Sequence, residues 1–151
     1  MKKGYTYEYE RPMITADMVV FRLSKTIAEI LLIKRKNEPF KGSWALPGGY
    51  MDMGETTESC AVRELEEETS INKTMISKPL FCGYLDQPER DPRGRTVSFV
   101  FTAHTWDDIQ AKASDDAAEI MWFPTDALPQ LAFDHEKAIK MAKEHTEFIF
   151  K

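Results

Sequence analysis

At 151 residues and 17.4 kDa the chain is long enough to bury one sizeable core without disulfides or structural metals, and a single domain over 1–151 is the expectation. A content of 42% hydrophobic and 30% charged residues excludes a largely disordered chain, and a net charge of −5 argues against general affinity for nucleic-acid backbone or anionic membrane. Cys60 and Cys82 lack zinc or Cys-x-x-Cys spacing, and no apolar run approaches the roughly 20 residues that span a bilayer, so free thiols and a cytoplasmic location are expected.

Residues 15–22 (TADMVVFR) and 28–35 (AEILLIKR) are β-branched and aliphatic runs around a short polar turn, which predicts a hairpin. Residues 36–43 (KNEPFKGS) read as a loop, and WALPGG as a short strand broken by Pro47, Gly48 and Gly49. A helix over 57–69 follows. Thr56 or Thr57 supplies its N-cap, Glu58 lies in the first turn, and Ala61, Val62, Leu65 and Thr69 form an apolar stripe. Strands are predicted over 79–86 and 96–105, flanking the polar loop QPERDPRGR, and again over 118–124. A last helix from 134 to 146 has Asp134 as N-cap and His135 either in its first turn or reaching toward the site, with Ala138, Ile139, Met141 and Ala142 on its buried side. This order predicts an α/β fold, a mixed sheet covered by helices on both faces.

Chemistry concentrates on the helix over 57–69. At about 100° per residue, with Glu64 at zero, Glu67 falls near about −60° and Glu68 near about +40°, so three carboxylates share one face, while Glu66 points away near about 200°. Like charges three and four residues apart repel, and a hard cation removes that penalty. The alternative is an acidic exposed face with Arg63 as local counter-ion. Cys60, one turn earlier near about −40°, is a small residue on the same side.

From Gly49 to Ile71 the sequence reads GYMDMGETTESCAVRELEEETSI. It resembles the Nudix box: a glycine, a glutamate six residues on, then Arg-Glu-Leu-x-Glu-Glu beginning eight residues further. The resemblance implies an α/β/α sandwich around a mixed sheet, with Mg2+ or Mn2+ held by the Gly49 carbonyl and by Glu64, Glu67 and Glu68. It implies further that Glu55 and Arg63 orient the site. Ser70 departs from the pattern, which has glycine there. If the position is left-handed, serine costs on the order of 1 kcal/mol.

The segments ITADMVVF, EPFKGSWALPGGYMDMGE, RDPRGRTVSFVFTA and LPQLAFDHEKAI together resemble ADP-ribose pyrophosphatases related to the nucleotide-sensing domain of Nudix-type regulators. The implied reaction is water attack on a phosphorus of ADP-ribose, giving AMP and ribose 5-phosphate. Candidates to hold phosphate are Lys34, Arg35, Arg93 and Arg95, each equally readable as a solvated surface charge. Phe40, Trp44 and Phe133 are candidates to stack a base or to pack the core. The general base is Glu67, Glu68, or Asp115 or Asp116 of SDDAAE. Other Nudix substrates and a non-catalytic ADP-ribose sensor are the alternatives. The winged helix of regulators is not expected in a sequence ending at Lys151. The partner is a small nucleotide, with neither nucleic acid nor membrane, and the resemblance admits a homodimer.

Overall fold

A computed structural model of the chain describes residues 4–24, 27–106, 109–113 and 117–146. Among these, seven strands form one mixed sheet: β1 (Met13–Ser24), β2 (Ile27–Arg35), β3 (Trp44–Ala45), β4 (Gly48–Tyr50), β5 (Leu80–Leu85), β6 (Thr96–Thr105) and β7 (Ala117–Pro124). The backbone order runs β3-β2-β1-β6-β5, with β4 added to β1 and β7 to β2. β1 and β6 lie parallel in register from Met13↔Thr96 to Arg22↔Thr105, and the other pairings are antiparallel.

The site owes its position to a divergence of β1 from β2. They pair from Phe21↔Ile30 to Ser24↔Ile27 and then part. The segment after the 36–43 loop fills the gap. β3 joins β2 through Ile33↔Ala45 and Lys34↔Trp44, and β4 joins β1 through Asp17↔Gly48, Ala16↔Gly49 and Thr15↔Tyr50. What reads in sequence as one short strand, WALPGG, is therefore two, because buried Leu46 and Pro47 carry the chain from one parted strand to the other.

Side chains alternate across a strand, so β1 feeds two cores. Ala16, Met18 and Val20 pack with Leu31 beneath helix α1 (Thr57–Thr69), against Cys60, Ala61 and Leu65. Val19 and Phe21 pack with Ile30 and Leu32 beneath helix α2 (His135–Thr146), against Ala138, Ile139 and Ala142. Full burial of a side chain such as Leu65 stabilises by about 2 kcal/mol. The two-faced sheet expected from the element order is present. Met141, expected on the buried side of the last helix, is half-buried, and it lies over Gly83, where a Cβ would stand 2.9 Å from its sulfur. No described helix is long and apolar enough to cross a membrane.

Candidate active site

Helix α1 begins where the sequence predicts. Thr56 is the N-cap, with a reciprocal box in which Ser59 N–H donates to Thr56 Oγ1 at 3.0 Å and Thr56 N–H donates to Ser59 Oγ at 2.9 Å. It ends at Ser70, which is left-handed (φ 64°) and donates its N–H to the Glu66 carbonyl at 2.9 Å. Between these caps the acidic residues separate. Glu68 is buried, Glu64 half-buried, and Glu66 and Glu67 exposed.

Arg63 organises the outer carboxylates. Its Nε donates to Glu55 Oε2 at 3.0 Å, and its Nη2 to Glu55 Oε1 at 2.7 Å and to the Tyr50 carbonyl at 3.0 Å. Its Nη1 reaches Glu64 Oε1 at 2.9 Å and Glu67 Oε2 at 3.3 Å. Hydrogen bonding from Arg63 holds the Glu55 carboxyl down at about 2, against the effect of burial.

The inner carboxylates are held by the glycine turn. Gly48 N–H donates to Glu68 Oε1 at 3.2 Å, and a Cβ at Gly49 would stand 2.6 Å from Glu64 Oε1, so a side chain there would displace that carboxylate. The Gly49 carbonyl accepts from Cys60 Sγ at 3.5 Å. Burial pushes Glu68 up to about 9; the Gly48 bond opposes this, while the charges of Glu64 and Asp17 reinforce it. Burial likewise raises Glu64, although Arg63 opposes it. Cys60 is pushed up to about 12, again by burial, and remains a thiol.

Glu64, Glu68 and the glycine turn form one wall of a cavity of about 350 Å³ that opens where β1 and β2 part. The opposite wall is basic. Arg35 from the end of β2, and Arg90 and Arg93 from the 87–95 loop, line it. Asp91 fixes Arg93 by two bonds, Nε to Oδ1 at 3.0 Å and Nη2 to Oδ2 at 2.8 Å. Burial alone would raise the Asp91 carboxyl, but the bonds from Arg93 outweigh it and hold it low. The Arg93 guanidinium lies 4.9 Å from the Tyr50 ring centre and 5.4 Å from that of Phe133, and Arg35 approaches the Phe133 ring at 5.1 Å. Arg90 is anchored by Asp134 through bonds of 3.0 and 2.7 Å, its side chain 4% exposed.

Not every residue singled out in the sequence reaches the cavity. Arg35 and Arg93 line it, whereas Lys34 faces the other side of β2, as strand alternation requires, and pairs with Glu119 at 3.2 Å. Arg95 lies outside the cavity wall, exposed, and donates to the Asp86 carbonyl at 2.8 Å. Glu67 shares the helix face but turns to Arg63, and no three Asp, Glu, His or Cys side chains among the described residues converge as a ready metal cluster. Phe133 lines the cavity and packs on Phe40 at 4.7 Å, while Trp44 packs on Phe123 in the core. Asp134 precedes α2, but its carboxylate is engaged by Arg90. Asp115 and Asp116 lie outside the described residues. Sequence reasoning missed Arg90 and Asp17 as cavity residues, whereas His135, which the sequence offered as reaching the site, lines the cavity and is buried. Asp17 had a signal, a lone carboxylate inside the apolar run TADMVVF.

A family model described as NUDIX domain matches residues 11–144, nearly the whole of the cavity-bearing unit. The chain belongs to the Nudix family. It is 46% identical over 132 residues to an ADP-ribose pyrophosphatase of Methanocaldococcus jannaschii, covering 87% of this chain and 73% of that one. Among solved structures, it resembles the NUDIX domain of Shewanella oneidensis NrtR complexed with ADP ribose, with TM-score 0.80 and 30% identity, covering 91% of this chain and 90% of that one. It also resembles a bifunctional NMN adenylyltransferase/ADP ribose pyrophosphatase of Francisella tularensis complexed with AMP and a manganese ion, with TM-score 0.77 and 28% identity. That match covers 92% of this chain and 43% of the bifunctional one. The Nudix resemblance read from Gly49 to Ile71 and the Nudix α/β fold are thus borne out, and Nudix hydrolases generally use divalent cations.

Proposed function

We propose that the protein hydrolyses ADP-ribose to AMP and ribose 5-phosphate with the help of Mg2+ or Mn2+. The observation that carries this reading is the opposition of two walls in one cavity: Glu64, Glu68 and the glycine turn on one side, Arg35, Arg90 and Arg93 on the other. A diphosphate linked to a metal ion has the same polarity, anionic oxygens toward guanidinium and cation toward carboxylate.

The donor set fits such an ion. Glu64, Glu67 and Glu68 and the Gly49 carbonyl offer only oxygen, and Glu68 without a cation is pushed up to about 9 by burial beside other carboxylates, a penalty a hard cation removes. When bound, a divalent ion supplies Lewis-acid chemistry, activating water and offsetting charge on the leaving oxygen. The residues do the rest. Arg93, held between aromatic rings, and Arg35 bind and orient the phosphates, and Arg63 keeps Glu55, Glu64 and Glu67 aligned. The candidates for general base are Glu67 and Glu68, with Asp116 a further candidate from the sequence.

The similarity to a NrtR domain complexed with ADP ribose favours a second reading, a sensor that binds without cleaving. Incubation with Mg2+ and ADP-ribose, followed by chromatography, separates the two. AMP and ribose 5-phosphate in equal amounts are expected. Tight binding without AMP would leave the sensor, and faster cleavage of another nucleotide in a substrate panel would replace ADP-ribose.

A further inference from the structure

The cavity floor holds two side chains to which the proposed hydrolysis gives no role. Asp17 projects from β1 and His135 from the first turn of α2, their side chains 8% and 6% exposed, and both line the cavity. Asp17 Oδ2 accepts from Ser98 Oγ on β6. Its Oδ1 lies over Gly48, its cross-strand partner, where a Cβ would stand 2.1 Å away, so glycine is what lets the carboxylate occupy that place. His135 Nδ1 accepts the Leu46 N–H at 3.0 Å, which puts the proton of the neutral ring on Nε2. Burial keeps the ring neutral, lowering its pKa below the ordinary value.

His135 Nε2 then stands 3.9 Å from Asp17 Oδ1, beyond direct hydrogen-bond reach. One oxygen at about 2.8 Å from each atom bridges that gap. It must accept from nitrogen and donate to carboxylate, which a water molecule does and which, among the groups of ADP-ribose, a ribose hydroxyl does. A phosphate oxygen would meet the Asp17 charge with no proton to give, and a cation would meet the Nε2 proton. We propose that Asp17 and His135 read a sugar hydroxyl of the bound nucleotide and thereby select against substrates that lack it. This inference rests on the ADP-ribose reading, and the hydroxyl belongs to either of the two riboses.

The test compares kcat/KM for ADP-ribose, its 2′,3′-dideoxyadenosine analogue and a simple alkyl ester of ADP, using wild type, Asp17→Asn and His135→Asn. In His135→Asn the amide oxygen of the new side chain can retain the Leu46 bond while its amide nitrogen stops short of the Nε2 position, so the donor facing Asp17 is withdrawn and this variant carries the test even if Asp17→Asn fails to fold. Wild type is expected to prefer ADP-ribose, and each folded variant to lose at least tenfold of that preference against one analogue, chiefly through KM. The analogue concerned identifies the sugar. Preferences equal to wild type overturn the proposal, as does a uniform fall in kcat on all three substrates, which assigns the pair to the attacking water. If wild type cleaves none of them, hydrolysis falls, and the same comparison is made on Kd by calorimetry. Selective loss there supports the pair, and unchanged preferences in Kd overturn it.

Discussion

Arg63 grips Glu55 through two hydrogen bonds, Nε to Oε2 at 3.0 Å and Nη2 to Oε1 at 2.7 Å, while its remaining nitrogen bridges Glu64 and Glu67. A lysine can place one point charge but cannot reproduce that fork. Arg63→Lys is expected to lower kcat/KM with Mg2+ by about 10–100-fold, the range found when groups that orient metal ligands are lost. Steady-state assays across Mg2+ concentrations check it, because part of the loss should appear as a higher Mg2+ requirement.

Glu68→Gln should separate folding from chemistry. Its buried carboxyl is pushed up to about 9, so a neutral amide is the better isostere of the cation-free state and can keep the Gly48 bond. The variant is expected to melt at or above the wild-type temperature without metal, to gain nothing from added Mg2+, and to lose orders of magnitude in rate. Glu67→Gln should also lose orders of magnitude in rate while folding normally. Near-normal rates in both would remove these residues from the metal site.

Asp91 touches no part of the carboxylate wall, yet it fixes the plane of Arg93 against Tyr50 and Phe133. Replacing Asp91 by Asn weakens both charged bonds and frees the guanidinium. An increase of about tenfold in KM, with a smaller change in kcat, is the expected outcome in initial-rate measurements.

Ser70 occupies a left-handed position that favours glycine. Its side chain compensates weakly, through a 3.4 Å contact with the Lys112 carbonyl. Ser70→Gly should therefore stabilise by about 0.5–1 kcal/mol, which in a chain of this size raises the melting midpoint by about 1–4 °C. Calorimetry of the two proteins checks this.

His135 makes stability depend on pH. Burial lowers its pKa; Asp17 and Asp134 pull it up, Arg90 and Arg35 push it down, and the net is below the ordinary value near 6.5. The unfolded chain therefore binds the proton more readily, so this contribution is complete above about pH 6.5 and is lost as pH falls toward the depressed folded value. Urea midpoints measured between pH 7.5 and 5 should decline for wild type and decline less for His135→Asn.

Much of this was legible in the sequence because it is local. Helix α1 runs over the residues predicted, since the Thr56 cap, the apolar stripe and the left-handed Ser70 all act within a few residues of one another. Lys34 could have been set aside by strand alternation, because Arg35 and Ile33 share the cavity side of β2. The basic wall was harder. Which of Arg90, Arg93 and Arg95 faces inward depends on how the 87–95 loop is tied to Asp91 and Asp134, and the second of these lies 44 residues away. The pairing of Asp17 with His135 joins β1 to α2 across most of the chain, a distance no sequence period spans.

The divergence of β1 from β2 leaves the two cavity walls on separate supports. The acidic wall belongs to α1 and β4, packed on the sheet, whereas two of the three arginines sit on the loop between β5 and β6. Grafting a different loop between those two strands would alter what the cavity accepts while the reaction machinery stayed in its original frame. The protein thus offers a natural cassette for redesigning substrate preference one side at a time.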